Sequence, residues 1–263
     1  MSRPLSSPDR ALPGLTGNQL KTFAAVCMLV DHTTKILLIP LTLWLTGGRW
    51  PEEMQALCRQ LLYPVGAVSF PLFCFLFAEG YTHTRNKKKY LLRLTVFALI
   101  SELPFDLAFF SPLAKDAGTF PFYWDYQNVL FTFLLGFVTL SAIDCVRLHH
   151  RILRWLTHAG IAITSWFFAQ YVLRADYQGY GLALIVVLYL LRGSRNRQLL
   201  GMLAVTLLAK PGRYPLSFLA ALFLIWLYNG QRGEKNTGYF FYIFYPAHLL
   251  VLHLLELAVA ALC

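Results

Sequence analysis

Charge is scarce in this chain. Only 14% of its 263 residues are Asp, Glu, Lys or Arg, and the acidic residues number 13. A soluble globular domain carries about a quarter charged residues, so that class is excluded. No low-complexity tract, no clear internal repeat and no separate polar domain is present. The five cysteines, at positions 27, 58, 74, 145 and 263, form no CxxC pair and no metal-ligand spacing. Neither a disulfide nor a metal site is therefore expected. Cysteines in or beside apolar segments act as small hydrophobes. The N-terminal stretch is polar and proline-bearing, without the short apolar core and cleavage site of a signal peptide.

What is there instead is apolar sequence. Hydrophobic residues make up 57% of the chain, and the mean hydropathy is +0.52. Apolar runs and their breakers predict spans at 22–45, 61–83, 90–111, 126–146, 155–173, 177–191, 198–210, 215–229 and 239–262. The expected fold is an all-α polytopic membrane bundle of about nine helices, after a cytoplasmic N-terminal tail at 1–21. The sixth to eighth spans are short for a full crossing. The net charge of +10 does not imply nucleic acid, because the basic residues fall in short loops. Alternate loops collect most of them: Arg85 to Arg93, Arg147 to Arg154, Arg192 to Arg197, then Arg232 and Lys235. This bias places the N-terminus in the cytoplasm and the chain in the inner membrane.

Against that background, Asp31 and His32 stand out. The stretch FAAVCMLVDHTTKILLIPLTLW, Phe23 to Trp44, has Asp31, His32 and Lys35 as its only ionisable groups. A charge at bilayer depth costs about 2.5–3.5 kcal/mol on insertion scales, so such groups usually face a bundle interior or a wet cavity. Counting from the predicted inner ends, His32, Glu102 and His248 lie roughly 13–18 Å deep at 1.5 Å per residue. Asp31–Lys35, Glu79–His83 and Glu102–Asp106 are i,i+4 pairs, and His253–Glu256 is i,i+3, so each can meet on one helix face. An Asp31–Lys35 pair is a structural feature on its own. His32 carries the stronger functional expectation, since acid–base chemistry is histidine's common use. Glu79 and His83 read equally as loop anchors. The run TRNKKKYLLR, Thr84 to Arg93, is first a positive-inside signal. Arg85, Lys87, Lys88, Lys89 and Arg93 also suit the phosphates of a nucleotide-bearing donor.

Several segments carry a family resemblance: LKTFAAVCMLVDHTTK (Leu20–Lys35), GAVSFPLFCFLFAEGYTHTRNKKKYLLRL (Gly66–Leu94), ALISELPFDLAFF (Ala98–Phe110), QNVLFTFLLG (Gln127–Gly136), ADYQGYG (Ala175–Gly181) and FYIFYPAHLL (Phe241–Leu250). Together they resemble the TraX family, named for conjugative-pilin acetylation, over nearly the whole chain. That family is similar in turn to membrane acyltransferases that use acetyl-CoA and an early-span histidine. The resemblance implies a transmembrane acyltransferase domain over 22–263 and acetyl-CoA as donor. It also implies a pilin N-terminus or an envelope glycan or lipid as acceptor, and His32 as the catalytic position. In that scheme His32 is the general base or accepts the acyl group itself. Asp31 or Glu102 stabilises the imidazolium. Glu79, His83, Gln127, Asn128 and His248 are the candidate substrate contacts. Two alternatives stay open: a proton-coupled carrier using Asp31, Glu102 and His248, and a non-catalytic assembly protein.

Overall fold

The computed structural model describes residues 14–209, 215–233 and 238–262, all helix, turn and loop apart from two isolated bridges. Nine helical rods follow one another among the described residues. They are α1 (Gly17–Leu45), α2 (Glu52–His83), α3 (Lys87–Asp116), α4 (Val129–Cys145), α5 (Arg151–Phe167, continued by Phe168–Leu173), α6 (Gln178–Leu190), α7 (Arg195–Ala209), α8 (Pro215–Trp226) and α9 (Gly238–Leu262). Each predicted span has its rod. Only four, however, are long and apolar enough to cross a membrane unaided: Gly17–Leu45, Glu52–His83, Lys87–Pro112 and Tyr239–Ala261. Val129–Cys145, Gln178–Leu190 and Pro215–Trp226 are shorter apolar helices.

Local chemistry sets the boundaries. α1 starts at Gly17, earlier than expected, so residues 17–21 belong to the helix rather than to a tail. A capping box fixes this start: Thr16 accepts from the backbone of Gln19, whose side chain accepts from the Thr16 N–H. α4 starts at Val129 rather than 126, because the Asn128 side chain caps the Leu130 N–H. Within α1 and α2, wide π turns at Thr34–Leu38 and Cys58–Leu62 lie just ahead of Pro40 and Pro64. A proline ring supplies no N–H and crowds the preceding turn, and the wider winding accommodates it. Both distortions fall beside the site described below.

α2 is the centre of the bundle. Of its most apolar window 61% is buried, against 28–33% for the other three long helices. Lipid tails are as apolar as leucine, so tight packing rather than water expulsion must join such helices. Small residues supply it. A Cβ on Gly181 of α6 would come within 2.7 Å of Phe70 on α2 and 2.8 Å of Thr132 on α4. α5 lies at the other extreme, with no buried residue along Arg151–Phe167 and Ile152, Leu156, Ile163 and Phe167 exposed.

The rods run up and down, so the basic loops gather at one end. There Lys87 meets Asp144 at 2.5 Å, and Asp144 also accepts from Tyr81 and Tyr189. That one carboxylate ties α2, α3, α4 and α6. Arg195 sits over the rings of Phe75 and Tyr228, and the backbone of residues 15–18 pairs with 227–232. At the opposite end, Tyr123 donates to Asp106, Asp125 pairs with Arg174, and Gln127 bridges Ala175.

Candidate functional site

His32 on α1 reaches across the bundle to α9. Its Nδ1 lies 2.7 Å from Nε2 of His248. The ring planes are within 4° and the centroids 5.0 Å apart, so the two imidazoles share a plane edge to edge. His248 Nδ1 in turn lies 2.7 Å from the Phe244 carbonyl oxygen one turn earlier on α9. Phe109 presents its edge to His32 at 5.3 Å, and Tyr245 flanks it. No partner engages His32 Nε2 among the described residues.

The His32 ring lines a chamber of about 190 Å³. Beside it lies a larger one of about 830 Å³. They share Asp31, Lys35, Phe70, Tyr126, Asp176 and Tyr177 as walls, so a molecule seated in the second can extend its tip toward the imidazole. Asp176 anchors the shared wall. Its carboxylate accepts from the Tyr126 hydroxyl at 3.1 Å and from the Tyr177 N–H, and its carbonyl accepts from Thr132. Tyr177 lies flat on Phe70 with centroids 3.4 Å apart. The Tyr126 hydroxyl, as the donor to Asp176, keeps its proton. Arg174, Tyr177 and Gln178 all have left-handed backbone, at φ 50°, 63° and 42°. Such conformations cost about 1–3 kcal/mol each in non-glycine residues and cluster where a fold must hold a wall in place.

The expected residues divide. Asp31 pairs with Lys35 at 2.6 Å and lines the chamber, but the ring of His32 turns to His248 instead. Glu102 is held by Asn128, whose side-chain nitrogen donates at 2.5 Å and whose backbone N–H donates at 3.3 Å. Asn128 also donates to the Ala98 carbonyl and caps α4, so its groups are engaged at a helix junction rather than offered to a ligand. Gln127 donates to Trp124 and bridges Ala175. Glu79 and His83 pair at 3.5 Å at the basic end, away from both chambers. Lys87 is committed to Asp144 and Tyr81, and Arg93 rests over Tyr90 and Tyr239. Arg85, Lys88 and Lys89 are exposed. Lys89 and Phe105, on the chamber wall, are 16 positions apart along α3, about 24 Å of helix. The structure does not bring the basic cluster and the chamber together. It adds Tyr126, Asp176, Tyr177, Phe109 and Tyr245, none of which the sequence reading counted as a site residue, although Asp176 and Tyr177 lie in the ADYQGYG segment. Among the described residues, no group of three or more His, Cys, Asp or Glu is placed to hold a metal ion.

The TraX protein family profile matches residues 16–256. The chain belongs to the TraX family. A relative from Dichelobacter nodosus, named "Probable fimbrial assembly protein FimC, serogroup H1", is 30% identical over 251 residues, covering 89% of this chain and 93% of that protein. No solved structure matches. In this TraX chain, the DH of the first span and the FYPAHL of the last are the segments that meet as His32 and His248.

Gly66 makes room for the acid beside them. A Cβ there would lie 2.5 Å from the Asp31 Cβ and 2.7 Å from its Oδ1. Gly66→Ala should displace Asp31, break its pair with Lys35 and cost about 1–3 kcal/mol by overpacking. Thermal unfolding in detergent checks this against Gly160→Ala, where nothing lies within 4 Å and no loss is expected.

Proposed function

We propose that this protein is an inner-membrane acyltransferase that moves an acetyl group from acetyl-CoA to an amine or hydroxyl of a pilin or another cell-envelope molecule. The observation that carries the reading is His32, an imidazole with one nitrogen tied and the other unengaged, lining a small chamber beside a larger one. The family points to pilin and fimbrial assembly. In the reaction, the acceptor's lone pair attacks the thioester carbonyl and its proton passes to His32 Nε2. The carbon–sulfur bond breaks, and the same proton leaves on the CoA thiol. Tyr126 supplies a neutral hydroxyl on the shared wall. The Asp31–Lys35 pair places both charges there without a net excess.

Protein in nanodiscs, given acetyl-CoA labelled in the acetyl group and a pilin or cell-envelope extract, tests this directly. The expected result is CoA release that depends on the extract, with label appearing in it. Label retained on the protein would assign an acyl-histidine intermediate. A bound extract component with no CoA release would favour a second reading, a non-catalytic assembly factor, which the name of the Dichelobacter relative supports.

A further inference from the structure

We propose that His248 is a positioning residue that fixes which nitrogen of His32 carries the proton, an inference that rests on the acyl-transfer reading above. The argument is one of hydrogen-bond direction. A backbone carbonyl can only accept, so the contact between His248 Nδ1 and the Phe244 oxygen at 2.7 Å places a proton on Nδ1. A neutral His248 then has a bare Nε2, which accepts. Its partner at 2.7 Å, Nδ1 of His32, must be the donor. With Nδ1 protonated, neutral His32 has its lone pair on Nε2, the nitrogen left without a partner among the described residues. The common plane of the two rings, within 4°, is the orientation in which one lone pair accepts squarely from the other ring's N–H.

The arrangement does the work that a carboxylate does for the histidine of a serine-protease triad: it selects the tautomer and holds the ring. It differs in charge. A carboxylate at this depth would need a counter-ion, whereas a second neutral imidazole needs none. It also has a second use during turnover. When the acceptor's proton arrives on His32 Nε2, the Nδ1 proton can shift to His248 Nε2. The positive charge is then shared by two rings. Reversal of that shift lets the Nε2 proton leave on CoA sulfur, so protons balance over the cycle. Asp31 and Glu102, engaged by Lys35 and Asn128, have no part in this chain.

The test combines solid-state NMR of protein labelled with ¹⁵N-histidine in liposomes, His32 assigned by difference with His32→Asn, with acetyl-transfer kinetics. In the wild type, His32 should show a protonated Nδ1 and a bare Nε2. His248→Gln keeps an oxygen that can accept from Nδ1 and should keep that tautomer, with kcat within about tenfold of wild type. His248→Leu offers no acceptor. It should let the Nε2–H tautomer appear and lower kcat by about a hundredfold or more, with KM for acetyl-CoA unchanged in both variants. A wild-type spectrum with the proton on Nε2, or a His248→Leu variant with unchanged tautomer and kcat, would overturn the proposal. If the wild type transfers no acetyl group at all, the acyl-transfer reading fails by itself, and the wild-type and His248→Gln spectra still decide the tautomer.

Discussion

His32→Asn should lower acetyl transfer by about 10²–10⁴-fold, the usual contribution of a positioned general base, while leaving the fold and acetyl-CoA affinity intact. Asparagine suits the test because its carboxamide N–H lies near the position of Nδ1 and can still donate to His248 Nε2. The contact between α1 and α9 therefore survives, and so does the wall it forms with Phe109 and Tyr245. What disappears is a basic nitrogen facing the chamber. The check is CoA release with saturating acceptor, beside equilibrium binding of acetyl-CoA. A lost rate with retained binding identifies His32 as the group that handles the proton or the acyl group. A retained rate would leave it as one of several aromatic groups packed between α1, α3 and α9, and would move weight to the assembly reading.

The sequence made some of this site readable, and physics separates what it showed from what it hid. Contacts within one helix turn were open to inspection because helical spacing alone sets them. Asp31 and Lys35 form an ion pair at 2.6 Å, and Glu79–His83 and His253–Glu256 meet at 3.5 and 3.2 Å. Depth was also readable, because a long apolar run has one way to cross a bilayer, and His32 and His248 do meet at similar depth. Their actual contact was not readable: it joins residues 216 positions apart, and no local periodicity encodes that. The loops concealed more. Tyr126 opened one predicted span and Asp176 fell between two others, yet the bridge from Gln127 to Ala175 folds both loops onto the chamber wall. Asn128 misled in the opposite direction. A neutral amide at a span end fits a ligand contact, but here it is a helix cap and the partner of Glu102. Lys87 looked like one member of a topological signal, and its Asp144 partner lies 57 residues away.

Asn128→Leu should be among the most destabilising single changes in the bundle, at about 3–5 kcal/mol, which for a chain of this length is a fall of about 10 °C in Tm. The size follows from what the one side chain holds. It caps α4 through the Leu130 N–H, a contact worth about 1 kcal/mol. It satisfies the Ala98 carbonyl, and it donates the shorter of the two hydrogen bonds that Glu102 receives from this residue. Leucine removes all three and leaves a carboxyl group inside the membrane with one long contact. Differential scanning fluorimetry in detergent reads the loss. Glu102→Gln is the informative companion, because it keeps an oxygen to accept from Asn128 and removes only the ionisable proton. If Glu102 serves the junction alone, this variant should match or exceed the wild-type Tm and transfer acetyl groups at the wild-type rate. If Glu102 acts on the reaction as the sequence first suggested, the Tm will hold while the rate falls by about tenfold or more. A carboxylate that steadies the imidazolium from a distance and one that holds two helices together lose different things when only the charge is taken away.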